Sequence, residues 1–471
     1  MKTWLAFFAL SAGCAAASAQ APSPPPSTGL VNDWLRTQSP VFTNWDIGGQ
    51  VRARFESKQG FAVAGAGPEA VDFAKDSPDN NYWLLRETIH LGWQPNSWAT
   101  LFVEGRDSSS WNDKRRPEPE QDLMDLRQAW MGLGDPKAFP ITAKVGRQEL
   151  IYGDERLIGT SDWNNLGRVF DAAKLRFENQ DVWVDVFTSR VVLANDGQFN
   201  VSNDYDWFSG VYASTRTLIP KQETQLYFLA RNTGLDSPTA TTGSPQAGGP
   251  TARDIYTVGL RVQSLPKQFS GWDYDAELAG QFGSFLDTTL GERLDQESLA
   301  AHVAGGYTFE DTIMTPRVGV EYNYSSGDSD PSDGRHETFD NLFPTNHKSY
   351  GFMDFFSWQN MHDVRLNTSV RPCKGLTLTL DYHLFWLAAT SDFFYTSNGT
   401  PRRTGGYGIN QDADSFVGSE IDLVATYRIE TFAVFQAGYG HFFTGDYVKD
   451  TLNGPGSKDA DWVYLQAALN F

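Results

Sequence analysis

The sequence is poor in cysteine, in long apolar runs and in positive charge. Its 2 cysteines are Cys14 and Cys373, and Cys14 lies in a segment that we expect to be removed, so no intrachain disulfide is predicted. After Ala19, no stretch approaches the ~18 consecutive apolar residues of a membrane helix. The 38 Lys and Arg face 58 Asp and Glu, a formal net charge of −20. That surplus of acid argues against nucleic acid as a partner.

The N-terminus has the pattern of a secretory signal peptide. Lys2 precedes an apolar run from Trp4 to Leu10, and small residues end in Ala17-Ser18-Ala19, which predicts a signal peptide over residues 1–19. A lipoprotein signal on Cys14 is the alternative, but Ser11 stands where such signals have Leu. Residues 20–44 contain APSPPPST and lack a sustained period, so we expect a flexible, Pro-rich periplasmic leader.

From Trp45 onward the chain alternates apolar and polar residues. In the first such stretch, Ile47, Val51 and Phe55 alternate with Arg52 and Arg54. A period of two is typical of a strand with one apolar and one polar face. About eighteen such segments follow one another, most near the ~9–11 residues that cross a bilayer as a tilted strand. The pattern is blurred only near Trp130 and Phe208.

The connections between these segments alternate between short and long. Short ones fall at 94–97, 134–140, 179–180, 372–374 and 430, and long ones at 57–81, 108–121, 234–252, 327–360 and 391–417. Bacterial outer-membrane barrels have short periplasmic turns and long outer loops. The sequence therefore predicts an all-β, antiparallel, up-and-down transmembrane β-barrel over residues 45–471, with about 18 strands and both termini on the periplasmic side.

The last segment alternates up to a terminal aromatic residue, Phe471. Such an ending resembles the signal that the barrel-assembly machinery reads, which predicts that machinery as a partner and the bacterial outer membrane as the location. The alternative is an ordinary last strand of a soluble β-sandwich.

Three stretches of the sequence resemble the alginate-export family of outer-membrane porins. They are GRQELIYGDERLIGTSDWNNLGRVFDAAKLRF (Gly146 to Phe177), TFDNLFPTNHKSYGFMD (Thr338 to Asp354) and GYGHFFTGD (Gly438 to Asp446). Within the first, Gly146, Arg147, Gln148 and Asp171 carry the resemblance. The resemblance implies an eighteen-stranded barrel that exports an anionic uronic-acid polysaccharide.

A polyanion exporter needs cations along its lumen, and the inward register supplies a set of them. They are Arg52, Arg54, Arg86, Arg106, Lys144, Lys174, Arg176, Arg231, Arg261, Arg317, Arg365 and Arg371. Arginine suits carboxylates because its fork can bind them bidentately. The same register also turns a similar number of acids inward. The alternative is therefore that these charges only pair across strands and keep the wall rigid.

The connection around residues 146–168 is predicted to fold into the lumen and narrow it. Its candidate constriction residues are Tyr152, Asp154, Glu155, Arg156, Trp163 and Arg168. They are too polar for lipid, and irregular backbone at membrane depth is tolerated where it lines a cavity. The alternative is an external loop held by its own salt bridges.

One detail of this stretch stays open: strict alternation turns Arg147 toward lipid. Either a bulge at Gly146 re-aims it, or it lies above the apolar band.

No catalytic, cofactor or metal motif stands out. There is neither a GxSxG nor an HExxH sequence, so we expect no enzyme activity, no cofactor and no metal. The acidic residues of 327–351, from Asp328 to Asp340, are expected to be solvated in an outer loop. A calcium site or a divalent bridge to lipopolysaccharide is the alternative.

The sequence leaves three functions open. The first is export of an anionic, alginate-like polysaccharide, with periplasmic export proteins as further partners. The second is a diffusion porin for small anions or sugars. The third is a structural or adhesive barrel. Outer-membrane lipid and lipopolysaccharide would surround the barrel in all three.

Overall fold

The structure, a computed structural model, describes residues 29–61, 71–115, 118–234, 252–287, 291–403, 406–452 and 456–471. The predicted signal peptide (1–19) and the leader up to residue 28 lie outside these ranges.

Strands dominate the part of the chain that the structure describes. In chain order they are β1 (Trp45–Gln59), β2 (Asn80–Asn96), β3 (Ala99–Trp111), β4 (Asp122–Leu133), β5 (Ile141–Gln148), β6 (Phe170–Glu178), β7 (Val182–Leu193), β8 (Val201–Thr215), β9 (Gln222–Thr233), β10 (Arg253–Ser264), β11 (Trp272–Asp287), β12 (Glu292–Thr308), β13 (Arg317–Ser325), β14 (Arg335–His336), β15 (Met361–Cys373), β16 (Leu376–Trp386), β17 (Phe416–Ile429), β18 (Ala433–Thr444) and β19 (Ala460–Asn470).

All strands except the two-residue β14 form one closed antiparallel barrel. Each wall strand pairs with the next along the chain, and β13 pairs with β15. The ring closes where β1 pairs with β19, from Gln50↔Asn470 to Gln59↔Asp461. The predicted eighteen-stranded barrel is confirmed. Closure leaves no unpaired strand edge, which is what lipid demands of a sheet.

The two faces of the wall differ as the alternation predicts. On β1, Arg52, Arg54 and Glu56 point inward and are at most 4% exposed. The outward face carries exposed apolar side chains around the ring, among them Leu91, Val186 and Leu465. In a bilayer this outer face meets lipid tails. The buried apolar cluster of the protein instead includes wall residues such as Phe208 and residues of the connections such as Phe343.

Short and long connections lie at opposite ends of the barrel. The link between β15 and β16 has two residues and that between β2 and β3 also two, whereas β13 and β15 are separated by residues 326–360. The start of β1 and the end of β19 are on the short-link side, where Gly49 and Phe471 exchange two backbone hydrogen bonds of 3.1 and 3.0 Å. By the rule for bacterial barrels, this is the periplasmic side.

The two segments with blurred alternation are both strands, β4 and β8. Register shifts interrupt the β3–β4 pairing at Glu104/Gly105 and the β7–β8 pairing at Arg190/Val192. Moreover, Trp130 and Phe208 are buried on the inward face, at 5% and 0% exposure. Bulges and inward aromatics explain why the period was hard to see.

The described part of the leader has regular structure that the sequence pattern did not predict. Residues Leu30–Gln38 form helix α1 and Pro40–Asn44 a 3-10 helix. Asn32 fastens α1 to β1, because its Nδ2 donates to Asp46 Oδ1 at 2.7 Å and its Oδ1 accepts from the backbone of Ile47 at 2.8 Å. A second short helix, α2 (Asp446–Thr451), precedes β19. Within the described ranges, no helix has the length and apolarity to span a membrane.

Candidate functional site

The connection between β5 and β6, residues 149–169, lies inside the barrel; we call it the first inner segment. One end of it contacts β1 and β2. Arg52 Nη1 donates to the carbonyl oxygen of Asp162 at 2.7 Å, and Arg54 Nη1 donates to that of Trp163 at 2.6 Å. Arg86 binds the Asp162 carboxylate, also at 2.7 Å.

The other end of the first inner segment reaches the far wall. Arg156 Nη2 binds Glu321 Oε1 at 2.8 Å and its Nη1 donates to Asn323 Oδ1 at 3.1 Å, both on β13. Because the segment starts at β5 and touches β1 on one side and β13 on the other, it crosses the lumen. Of the two placements that the sequence left open, the structure has the internal one.

A second connection also enters the lumen and pairs with the first. We call residues 338–358 the second inner segment. Phe343 N donates to Leu157 O at 2.9 Å, and Gly159 N donates to Phe343 O at 2.8 Å. The apolar residues Phe339, Leu342 and Trp358 are 0% exposed. Their burial explains why this part of the connection folds inward.

The expectation that residues 327–351 form a solvated acidic loop is therefore wrong for part of that range. Asp330 and Asp333 are exposed, but Asp340 is 6% exposed and binds Arg253 and Arg231 of the wall. Asp328 is 5% exposed. Asp340 lies inside the barrel together with the apolar residues beside it, and Arg231 and Arg253 of the wall neutralise its charge.

The tips of the two inner segments meet in an aromatic junction. Trp163 stacks on His347 at 4.0 Å between ring centroids, and the Arg54 guanidinium carbon lies over the indole, 3.8 Å from its centroid. Trp462 and Tyr464 of β19 contact Trp163 edge-on. A desolvated cation over an aromatic ring is worth about 2 kcal/mol. The junction thus fixes both segments to the β1–β19 wall.

The remaining candidate constriction residues are also bound inside the barrel. Tyr152 donates its hydroxyl to Asp185 at 2.7 Å, and Arg168 donates to the carbonyl oxygens of Gly159 and Pro344. Burial, with Arg231 nearby, lowers the pKa of Arg168 to about 9. The side chain still carries its charge near neutral pH.

Two acids of the first inner segment keep contact with water. The side chain of Asp162 is 59% exposed and that of Asp154 37% exposed, although both lie within the ring of strands. Burial alone would raise the pKa of Asp162, but Arg86 and Arg52 hold it well below its usual range. Lys348 and Arg156 likewise lower the pKa of Asp154 against its burial. Both acids are therefore anionic where they face water in the lumen.

Most of the predicted lumen cations are already bound to acidic side chains of the protein. The ion pairs are Arg54–Glu56, Arg86–Asp162, Arg106–Asp122, Lys174–Asp185, Arg176–Asp185, Arg231–Asp206, Arg261–Asp275, Arg317–Asp273 and Arg365–Asp381. Arg52 binds backbone carbonyls, and Lys144 lies 4.0 Å from the Trp130 ring. Arg371 follows a register shift at the short-link end of β15 and is exposed.

Few of these cations reach water. The side chains of Arg54 and Arg176 are 0% and 3% exposed, whereas those of Arg317 and Arg365 are 29% and 16% exposed. Sequence reasoning missed a further exposed cation, Lys348 of the second inner segment, at 39%. No strand period extends into a loop, so only the family-like stretch that contains Lys348 could have pointed to it.

Arg147 keeps strict alternation and faces outward. The pairings of β5 with β4 and β6 are continuous through Gly146, so no bulge re-aims it. Its guanidinium binds Asp171 at 2.9 Å and lies 5.5 Å from the Phe199 ring, at the long-loop end of the wall. Arg147 is only 7% exposed there, and the next residue, Gln148, lies on the opposite, inward face at 0% exposure. The outward ion pair at the end of the strand fits a position above the apolar band.

Within the described ranges, no three His, Cys, Asp or Glu side chains converge in a way that could hold a metal ion.

A family model described as alginate export matches residues 43–457. The chain belongs to the alginate export family. Its family-like stretches meet in the structure: the first and second inner segments pair with each other, and Phe442 of the third stretch packs against Phe355, the residue that directly follows the second stretch, at 5.0 Å. No functionally curated protein matches the chain at a significant level.

Solved structures support the same architecture for this alginate export family member. OccK11 (OpdR) of Pseudomonas aeruginosa is 13% identical with a TM-score of 0.51, covering 91% of this chain and 96% of its own. OpdL of the same organism is 11% identical with a TM-score of 0.55, covering 91% and 99%. OpdK, solved with vanillate, is 12% identical with a TM-score of 0.54, covering 90% and 98%.

At these identities the likeness shows the fold alone. Together, family and fold identify a channel protein of the bacterial outer membrane; export channels and porins are not enzymes.

Proposed function

We propose that this barrel exports an anionic polysaccharide of the alginate type, whose carboxylates pass along a row of water-exposed cations. The row consists of Lys348, Arg365 and Arg317, and it is the main observation that supports the proposal. Arg365 Nη1 donates to the Lys348 carbonyl at 3.4 Å, and Arg317 Nη1 donates to Asn367, the next inward residue of β15, at 2.6 Å. The row therefore descends one wall from the inner segments toward the periplasmic end.

Two cations of the row, Arg317 and Lys348, have a carboxylate partner that water can reach, whereas the partners of Arg365 are buried. Arg317 binds Asp273, whose side chain is 43% exposed, and Lys348 binds Asp154 at 3.3 Å. Ion pairs open to water contribute only about 0–1 kcal/mol. A substrate carboxylate can therefore replace the protein carboxylate at little cost and leave again, as conduction requires.

The experiment is reversal-potential measurement in planar bilayers under a salt gradient. We expect the wild type to prefer anions and a Lys348→Gln/Arg317→Gln double variant to shift toward cations. Lys137→Gln, at the short link between β4 and β5, is the matched control and should behave as wild type. A double variant with unchanged selectivity would contradict the proposal.

The second candidate function is diffusion of small carboxylates, and the likeness of the barrel to OpdK, solved with vanillate, favours it. Proteoliposomes loaded with uronate oligomers or with vanillate separate the two. Release of long oligomers, but not of neutral dextran of equal length, supports export. Release of vanillate alone would favour the diffusion porin.

A further inference from the structure

Two buried carboxylates on the lumen wall bind the second inner segment, and no described arginine or lysine forms an ion pair with either of them. Glu420 and Asp422 are neighbours on the inward face of β17 and are 0% and 1% exposed. Glu420 Oε1 accepts from the backbone N–H of Met353 at 2.9 Å, and Asp422 Oδ2 accepts from that of Phe352 at 3.3 Å. The pair thus binds the backbone of the segment that carries Phe355 and Phe356 into the lumen.

The remaining oxygens of the two acids, Glu420 Oε2 and Asp422 Oδ1, are buried, and no described group donates a hydrogen bond to either. Two carboxylates buried side by side on one strand face without a cationic partner cannot both stay ionised, so the pair holds a proton.

The charged side chains that surround the pair form ion pairs with other residues. On the neighbouring strand β16, His383 binds Asp363 at 2.9 Å and Asp381 binds Arg365 at 2.7 Å. In the second inner segment, Asp354 binds His347 at 3.0 Å. On β18 the facing residue is Gly440, where an added Cβ would lie 2.8 Å from Asp422 Oδ1 and 2.8 Å from Met353 Cγ. The site is too closely packed for a hydrated cation.

We propose that Glu420 and Asp422 form a proton-binding site that keeps the second inner segment docked, and that loss of the shared proton releases the segment and widens the lumen. Without the proton, two like charges would lie side by side where neither is solvated, a strongly unfavourable state. Release exposes both carboxylates to lumen water. The inference does not depend on which substrate the channel carries.

The direction of the pH effect follows from counting protons. The docked state binds one proton more than the released state, so docking is favoured at low pH and weakens as pH rises. With one proton released per opening, the released population should grow about tenfold for each pH unit above the onset.

The test is thiol labelling of Met353→Cys in a Cys373→Ser background, using the full-length barrel in liposomes and a membrane-impermeant maleimide between pH 5 and 9. Met353 is 1% exposed in the docked segment. After correction for the maleimide's own pH dependence with a free thiol, we expect the labelling rate to rise about tenfold per pH unit over part of the range.

Two variants and one control decide the outcome. Glu420→Gln and Asp422→Asn each keep a side-chain oxygen that can accept from the backbone of the segment but remove the like charges, so the labelling rate should become independent of pH. Asp461→Asn removes an outward carboxylate of β19 and should keep the wild-type slope. Each variant is labelled only as folded, heat-modifiable barrel. A wild type without pH dependence, or a wild-type slope in both Glu420→Gln and Asp422→Asn, would overturn the proposal.

Discussion

Asp328 shows how strongly position controls the chemistry of one acidic residue. It lies just after β13, with its backbone N–H donating to Asp392 at 3.0 Å, and Ser391 donates to its carbonyl oxygen at 2.6 Å. Burial, together with Asp392 and Glu337, raises the pKa of Asp328 to about 7. The contact between the connections 326–360 and 387–415 therefore contains a carboxyl that loses its proton near neutral pH.

We expect this contact to weaken as pH rises. A carboxyl whose pKa is raised in the folded state favours that state at low pH, and this contribution is lost as pH rises from about 4 to about 7. Proteolysis of the two connections in intact barrels should be several-fold faster at pH 8 than at pH 5.5. Asp328→Asn should reduce that difference.

Asp330 provides the control for Asp328. It lies in the same connection but is exposed, and hydrogen bonds from Ser332 lower its pKa. Asp330→Asn should therefore keep the wild-type pH dependence of proteolysis. Equal behaviour of the two variants would place the titrating group elsewhere.

At the residue scale, the sequence predicted which face of a strand a side chain lies on better than it predicted which residue that side chain binds. Alternation placed Arg54, Arg231 and Arg365 on the inward face, because a strand leaves a side chain only two directions. It could not show that Asp340, from a distant connection, binds Arg231 and Arg253. Such pairs depend on the tertiary path of loops, and loops have no period to read.

At the scale of elements, the first inner segment depends on Arg156. This residue is 3% exposed and binds Glu321, Asn323 and the Tyr350 hydroxyl. Arg156→Met should leave Glu321 with Arg365 as its ion-pair partner, at a cost of about 3 kcal/mol to the docked segment. We expect larger and noisier single-channel conductance in planar bilayers.

Arg147→Met is the matched control for Arg156→Met. It removes an arginine nine positions away that pairs with Asp171 on the outward face. Conductance should not change, because the lumen is untouched. A quiet channel of wild-type conductance in Arg156→Met would show that the segment is held without this arginine.

The sequence indicated which connection enters the lumen, but only one of the two. The first inner segment is dense in charge and too polar for lipid, and both properties can be recognised in its sequence. The second hides its apolar residues Phe339, Leu342 and Phe343 in a long connection that begins with acids. The average composition of the whole connection predicted a solvated loop. Its short apolar clusters are instead buried, and their burial draws this part of the connection into the barrel.

For the whole molecule, the last residue extends the β1–β19 pairing that closes the barrel. Phe471 exchanges two backbone hydrogen bonds with Gly49, where an added Cβ would lie 2.7 Å from the Phe471 ring. Deleting Phe471 removes these bonds in a setting where lipid offers no substitute. We expect much less folded, heat-modifiable barrel in outer membranes than with Phe471→Tyr. Equal yields from the two variants would contradict a role for the terminal aromatic.

The architecture of the whole molecule was the most predictable level. Strand number, both faces and the side of each connection follow from a period of two and from connection lengths, because lipid permits so few solutions. Helix α1 was not predicted, since nine residues after a Pro-rich stretch offer little period.

Because β1 pairs with β19, the order of the strands along the chain could be circularly permuted. Because both ends lie on adjacent strands at the periplasmic rim, a short linker could join Phe471 to Trp45, and new termini could be opened in a long outer loop. Such a circular permutant would keep every strand pair while its final residue is no longer Phe471. Its folding yield in outer membranes would test whether a C-terminal Phe471 is needed for assembly, separately from the β1–β19 pairing that closes the barrel.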